Sequence, residues 1–96
     1  MAVPFKAPVK DITFGYEVID SYNILNKISE FSDFSEDIVI PTMEECAKFS
    51  EEVLAPINAN GDQQGATIDN GVVKMPQEFV DAYKKFAEAG WASISW

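Results

Sequence analysis

The sequence predicts a small, mainly α domain: three or so helices, an extended N-terminal arm and one short β-hairpin. Three observations carry that expectation. Apolar residues recur at three- and four-residue steps in separate stretches, as one-sided helices require. Asn70-Gly71 stands between two β-prone triplets. Pro4 and Pro8 punctuate the opening residues and oppose helix there. The 96 residues suffice for one domain. Surface scaling buries about 64% of the unfolded chain's surface on folding, so the core is expected to be thin.

Taken in order, residues 1–15 read as the extended arm, with Phe5, Val9, Ile12 and Phe14 as apolar anchors that call for a surface to lie on. Tyr16 to Ile28 fits a short helix whose stripe is Val18, Ile19, Tyr22, Leu25 and Ile28. Ser29 to Asp37 breaks the pattern with serines and acids, and Phe31 and Phe34 are expected to pin this loop to the core. Thr42-x-x-Glu45 behind Pro41 has the form of a capping box, so the next helix is expected to start there. Its apolar side is Met43, Cys46, Ala47, Ser50, Val53, Leu54 and Ile57. Pro41 opposes an upstream extension through Ile38–Ile40, because an internal hydrogen bond would be lost. Pro56 limits the other end.

Asn58 to Gly65 reads as a polar loop. Thr67-Ile68-Asp69, Asn70-Gly71 and Val72-Val73-Lys74 then spell a type I′ hairpin, which is expected to rest on the helices because so small a ribbon is marginal alone. Pro76 suits a helix start, Phe79, Val80, Tyr83, Phe86 and Ala87 form the last stripe, and Gly90 suits a left-handed C-terminal cap. Trp91, Ile94 and Trp96 crowd the final residues. Complete domains tend to end in polar, frayed residues, so this tail is expected to continue into further structure or to pack against a partner.

Charge narrows the functional classes. The chain carries 16 acids, 7 lysines and no arginine, a net charge of −9. Nucleic-acid binding needs a cationic surface and is excluded as an expectation; anionic membranes are disfavoured likewise. The acids concentrate between Glu17 and Glu52, which fits a solvated face or, more sharply, a docking surface for a basic partner. No stretch is long and apolar enough to span a bilayer. The start has no apolar signal region, and the single cysteine suits a reducing compartment, so a cytoplasmic location is expected.

Candidate chemistry is sparse. There is no histidine, which removes the usual general base, the Ser-His-Asp triad and most transition-metal sites. Cys46 lies on the expected apolar helix side with no cation nearby, and reads as a buried structural thiol. Glu44-Glu45 and Glu51-Glu52 read as solvated acids, not as a pair tuned for hydrolysis. Asn58-x-Asn60-x-Asp62-x-Gln64 with Asp69 mimics a calcium loop faintly, but Gln63 stands where the turn needs glycine and the final bidentate glutamate is missing. Catalytic, cofactor-binding and metal residues are therefore assigned to none of these positions. A packing or partner surface is assigned to Phe5, Phe14, Phe86, Trp91, Ile94 and Trp96.

A family resemblance enters through the second half. Lys48-Phe49-Ser50-Glu51-Glu52-Val53-Leu54-Ala55-Pro56-Ile57-Asn58 and Gly61-Asp62-x-x-Gly65 are followed by Gly71-x-Val73-x-x-Pro76. Next come Phe79-Val80-Asp81-Ala82-Tyr83 and Ala89-Gly90-Trp91. In this order they resemble the N-terminal domain of a bacterial acyl-CoA dehydrogenase. Pro8-Val9-Lys10-Asp11-Ile12-x-Phe14 and Glu17-Val18 resemble the extra N-terminal segment of one subgroup. Pro41 departs from the pattern, falling where the family continues a helix.

The resemblance implies residues 16–96 as an incomplete helical N-terminal domain that continues in the parent enzyme. It implies a flavoprotein oxidoreductase of fatty acid metabolism, in which a glutamate removes the α proton of an acyl-CoA, FAD takes a hydride and an electron-transfer flavoprotein reoxidises it. Partners so implied are the remaining domains of the dehydrogenase and further copies in a homo-oligomer, with acyl-CoA and the electron-transfer flavoprotein only for the full enzyme. The flavin contacts and the glutamate come from later domains of the family, so this chain is expected to be scaffold, inactive alone and without FAD of its own. The competing expectations are a stand-alone acidic protein-interaction module that uses the Trp91–Trp96 tail and the Phe5–Phe14 arm, and an acidic mimic of nucleic acid.

Overall fold

A computed structural model describes residues 4–94 of the chain. It is mainly α with one antiparallel two-stranded hairpin, the class that the periodicities predict. Two compact units divide it, Pro4–Glu51 and the residues from Glu52 onward, and Trp96 lies outside the described residues.

In the first unit, α1 spans Val9–Val18 with Pro8 at its N-cap. The extended stretch is therefore shorter than residues 1–15. Proline obstructs only the helix upstream of itself; at a helix start its missing N–H would have no partner in any case. Asp11 sits in the first turn of α1, where the helix dipole favours an acid. Asp20 then adopts a left-handed conformation at φ 57° and ends the run, so the helix expected from Tyr16 to Ile28 is two pieces. The second, α2, spans Ser21–Asn26. Asn23 Nδ2 donates to the Asp20 carboxylate at 3.0 Å across this junction. The Ser29–Asp37 loop is broken by a 3-10 turn at Ser29–Phe31.

The third helix, α3, runs Glu36–Phe49 with Pro41 inside it. It starts six residues before the expected Thr42, since Ser35, in an extended conformation, already accepts from the amides of Ile38 and Val39 at 3.1 and 2.9 Å. Thr42 is thereby interior: its Oγ1 donates back to the Ile38 carbonyl at 2.7 Å and caps nothing. Val39 and Ala47 face the core of this unit, and Ser21 is buried with them as a class. Cys46 is one residue off that line and is exposed, which corrects the expectation of a buried thiol. The remaining packing is aromatic. Tyr16, Tyr22 and Phe34 form a cluster with ring centroids 5.3–6.2 Å apart, so Phe34 does pin the loop, whereas Phe31 is exposed.

Past α3 the backbone widens into a π-helical turn at Ser50–Leu54. Pro56 gives the reason: it has no N–H for the carbonyl of Glu52, and its ring crowds that carbonyl unless the turn opens. Proline then occupies the first turn of α4, Ala55–Gln64. The stretch expected as a polar loop is thus helical, ended by Gly65 at φ 62°. The hairpin follows as drawn from sequence. β1 (Thr67–Asp69) pairs with β2 (Val72–Lys74), Ile68 opposite Val73 and Asp69 opposite Val72, around Asn70 and Gly71 at φ 51° and 79°. Every strand residue is exposed, so the ribbon does not rest its side chains on the helices as expected. The last helix, α5, spans Gln77–Glu88, and Gly90 at φ 83° terminates it before a 3-10 turn at Trp91–Ser93.

Candidate functional site

The second unit holds one concave apolar feature of note, a groove of about 420 Å³ between α4 and α5. Its origin is readable from spacing. Phe79, Ala82, Tyr83 and Phe86 lie three and four residues apart, so α5 presents them as one face. Leu54 and Ile57, from the π turn and the first turn of α4, supply the opposite wall, and Asn58 is the polar residue at the lining. Two features fix the helix pair. Gly61 is buried, and a Cβ built there would overlap the tip of the Phe79 ring, so only glycine lets the ring lie on the α4 backbone. At the rim, Asn60 Nδ2 donates to the Glu78 carboxylate at 2.8 Å. Tyr83 and Phe86 stack at a centroid distance of 6.2 Å along the open side.

Chemically the groove suits an aliphatic or aromatic group and offers little else. A flavin dinucleotide would need donors for its pyrophosphate, such as main-chain amides at a glycine-rich turn or a basic side chain. The lining contains neither, so these residues do not fit that cofactor. The Asn58–Gln64 oxygens lie along helix α4 instead of wrapping a loop, which removes the geometry of a calcium site. Among the described residues no group of three acids or cysteines is placed to hold a metal ion.

Elsewhere the electrostatics are those of a solvated acidic surface. Lys6 lies 3.8 Å from the Glu51 carboxylate, which also accepts from the Ala7 amide at 3.3 Å, tying the residues just before α1 to the π turn that follows α3. Tyr22, half-buried in its aromatic cluster, has its phenol held above the usual value near 10, first by desolvation and then by the Glu36 and Glu17 carboxylates and Tyr16. No helix among the described residues is long and apolar enough to cross a membrane.

The residues assigned to a packing or partner surface do not form one patch within either unit. Phe5 and Phe14 belong to the first, with Phe14 64% exposed. Phe86, Trp91 and Ile94 belong to the second. Phe86 is half-buried in the groove, Trp91 is half-buried and Ile94 is 65% exposed. Sequence reading placed Phe79, Tyr83 and Phe86 on the α5 stripe, took the exposed Val80 and Ala87 in place of the buried Ala82, and missed Gly61 as the seat of Phe79. The available signal was a glycine inside a stretch that lacks a strong helix breaker.

The chain is 33% identical over 91 residues to a 3-methylmercaptopropionyl-CoA dehydrogenase of Ruegeria pomeroyi. The match takes in 95% of this chain and 16% of that protein. The chain is homologous to a segment of an acyl-CoA dehydrogenase. That agrees with the resemblance carried by the Lys48–Asn58 and Phe79–Tyr83 motifs. No protein-family profile and no solved structure matches the chain.

Proposed function

We propose that this chain is the N-terminal helical part of a FAD-dependent acyl-CoA dehydrogenase, a packing scaffold without catalytic activity of its own. The carrying observation is the 33% identity that extends over 95% of the chain while matching 16% of the relative. In the whole enzyme the reaction would be α,β-dehydrogenation of an acyl-CoA thioester, with the flavin and the proton-abstracting carboxylate supplied outside these 96 residues. What this segment contributes is apolar surface: the α4–α5 groove and the exposed Phe14 and Ile94 side chains are faces for the remaining domains to cover.

The test is the visible spectrum of the purified chain together with dye reduction in the presence of an acyl-CoA. The expected result is no flavin band and no reduction, with both present when the segment is part of the longer enzyme. Flavin retention or turnover by the 96-residue chain would refute the scaffold reading. A second reading, an acidic interaction module, draws on the same exposed apolar residues within a chain of net charge −9. The reading frame after Trp96 separates the two: a flavin-binding continuation supports the first, a stop codon the second.

A further inference from the structure

The dipeptide Asn-Gly occurs at Asn60-Gly61 and at Asn70-Gly71, and the fold treats the two oppositely. Asparagine before glycine carries an intrinsic reaction. The glycine's backbone nitrogen can attack the asparagine side-chain amide carbon, because no Cβ on the glycine obstructs the approach. Asn23, Asn26 and Asn58 precede Ile24, Lys27 and Ala59, whose side chains crowd the same attack.

Asn60-Gly61 is held against that reaction. Both residues lie inside α4, where the Gly61 amide belongs to the helical ladder. Gly61 is buried beneath the Phe79 ring, and the Asn60 side-chain amide is tied to Glu78 at 2.8 Å. Closing a ring through the Gly61 nitrogen requires α4 to open at its contact with Phe79.

Asn70-Gly71 has none of these restraints. The β ladder ends at the Asp69–Val72 pair, so the Gly71 amide lies in the turn and outside the ladder. Asn70 is exposed, and nothing stands within 4 Å of where a Gly71 Cβ would be. Ring closure needs the turn to loosen. A ribbon of three exposed residues per strand opens at small cost.

We propose that Asn70 is a site of spontaneous deamidation, with water as the co-reactant and Asn60 spared. The Gly71 nitrogen, once deprotonated, forms a bond to Cγ of Asn70. The Cγ–Nδ2 bond breaks, and Nδ2 leaves as ammonia with a proton that replaces the one Gly71 gave up. Water then opens the resulting cyclic imide at either carbonyl. Attack at Cγ breaks its new bond to nitrogen and leaves aspartate. Attack at the main-chain carbonyl breaks the original peptide bond and leaves isoaspartate, with the chain routed through the side chain. Either product adds one negative charge to the −9 of the chain. Isoaspartate also inserts a methylene into a turn built on positive φ at two consecutive residues, so the hairpin loosens.

Incubating the full chain for days in mildly alkaline buffer, with and without urea, tests this. Tandem mass spectrometry of peptides follows the gain of about 1 Da at each asparagine. In the folded chain Asn70 should convert about tenfold or more faster than Asn60, and in urea the two rates should converge. An isoaspartate-specific carboxyl methyltransferase with a labelled methyl donor should label the product at position 70. No substitution is involved, so the folding of a variant does not enter. Equal rates at the two sites in the folded chain would overturn the proposal, as would an Asn70 that stays amidated while Asn60 converts in urea. A preference for Asn70 that persists undiminished in urea would also overturn it, because the selectivity would not then come from the fold. None of these outcomes bears on the dehydrogenase reading, which is tested by flavin and turnover.

Discussion

Two glycines inside helices should respond oppositely to the same substitution. Gly15 lies within α1 with open space where a Cβ would be, whereas Gly61 lies within α4 beneath the Phe79 ring. Alanine in an exposed helix interior is favoured over glycine by about 1 kcal/mol, because glycine loses more backbone freedom on folding. Gly15→Ala should therefore stabilise the chain by about 0.5–1 kcal/mol. At Gly61 the same gain is opposed by overlap with Cζ, Cε1 and Cε2 of Phe79. Because three ring atoms are involved, spinning the ring about its own axis gives no relief; the side chain must swing out of its seat and into the groove. Overpacking of this kind costs about 1–3 kcal/mol, and the displaced ring also loses part of its burial. Gly61→Ala should then be net destabilising by about 1–2 kcal/mol. Urea unfolding followed by far-ultraviolet circular dichroism measures both, and Phe79→Ala completes a double-mutant cycle. In the Phe79→Ala background, Gly61→Ala should become stabilising. If Gly61→Ala stabilises as Gly15→Ala does with Phe79 intact, the α4–α5 packing described above is wrong.

Four further outcomes are expected. Pro41→Ala should restore the amide that can bond the Asp37 carbonyl within α3 and stabilise the chain by about 1–3 kcal/mol; a loss of stability would mean that the helix does not run through this position. Cys46 should react with a thiol-specific dye in the native chain as fast as in urea, since it is exposed; protection would return it to the core. Asn60→Ala should cost only about 0.5–1 kcal/mol in thermal or urea unfolding, because its bond to Glu78 is solvent-exposed. Tyr22 has a raised phenol, so its contribution is fully present below pH 10 and is lost as pH rises through its higher folded-state value. An ultraviolet titration should show one late-ionising tyrosine that Tyr22→Phe removes, and a single unshifted transition would refute the assignment.

The parts of the fold that were legible in sequence are those set by local backbone chemistry. Asn70-Gly71 needs two residues with positive φ, and Gly90 needs one, whatever surrounds them. The α5 stripe was legible at Phe79, Tyr83 and Phe86, which keep a helical period, whereas the expected Val80 and Ala87 are exposed and the buried Ala82 stands in their place. What was misread turned on proline and on polar residues. Pro8, Pro41 and Pro56 each read locally as barriers to helix, yet the first stands at the N-cap of α1, the second is carried inside α3 and the third sits in the opening turn of α4 behind a π turn. A lost hydrogen bond costs a few kcal/mol, and a long helix with a packed face can offset that. The Asn58–Gln64 segment reads as loop for a related reason: Asn58, Asn60, Gly61 and Asp62 are weak helix formers, and the packing of the Phe79 ring on Gly61, eighteen residues away in the chain, is a contact that no local pattern encodes.

The same distinction bears on function. Periodicity tells which side of a helix is apolar; it does not tell what covers that side. Among the described residues, Val39, Ala47 and Ala82 are the buried hydrophobic residues, all small or medium, while Phe14, Ile68 and Ile94 face solvent. A sequence selected only for its own compact fold would place its largest side chains inside, where each contributes about 1.5–3 kcal/mol by full burial. This chain buries small and medium residues most completely, half-buries Phe79 on Gly61 and the Tyr22 and Phe34 rings, and leaves other large side chains outward. On the scaffold proposal, these outward side chains are the surface left for the remaining parts of a longer enzyme. Grafting the α4–α5 pair next to a partner that fills the groove should accordingly raise its stability, and the gain should track the apolar area covered, at about 25 cal/mol per Å². A groove that gains nothing when filled would instead identify Phe79, Tyr83 and Phe86 as surface that no neighbour is built to meet.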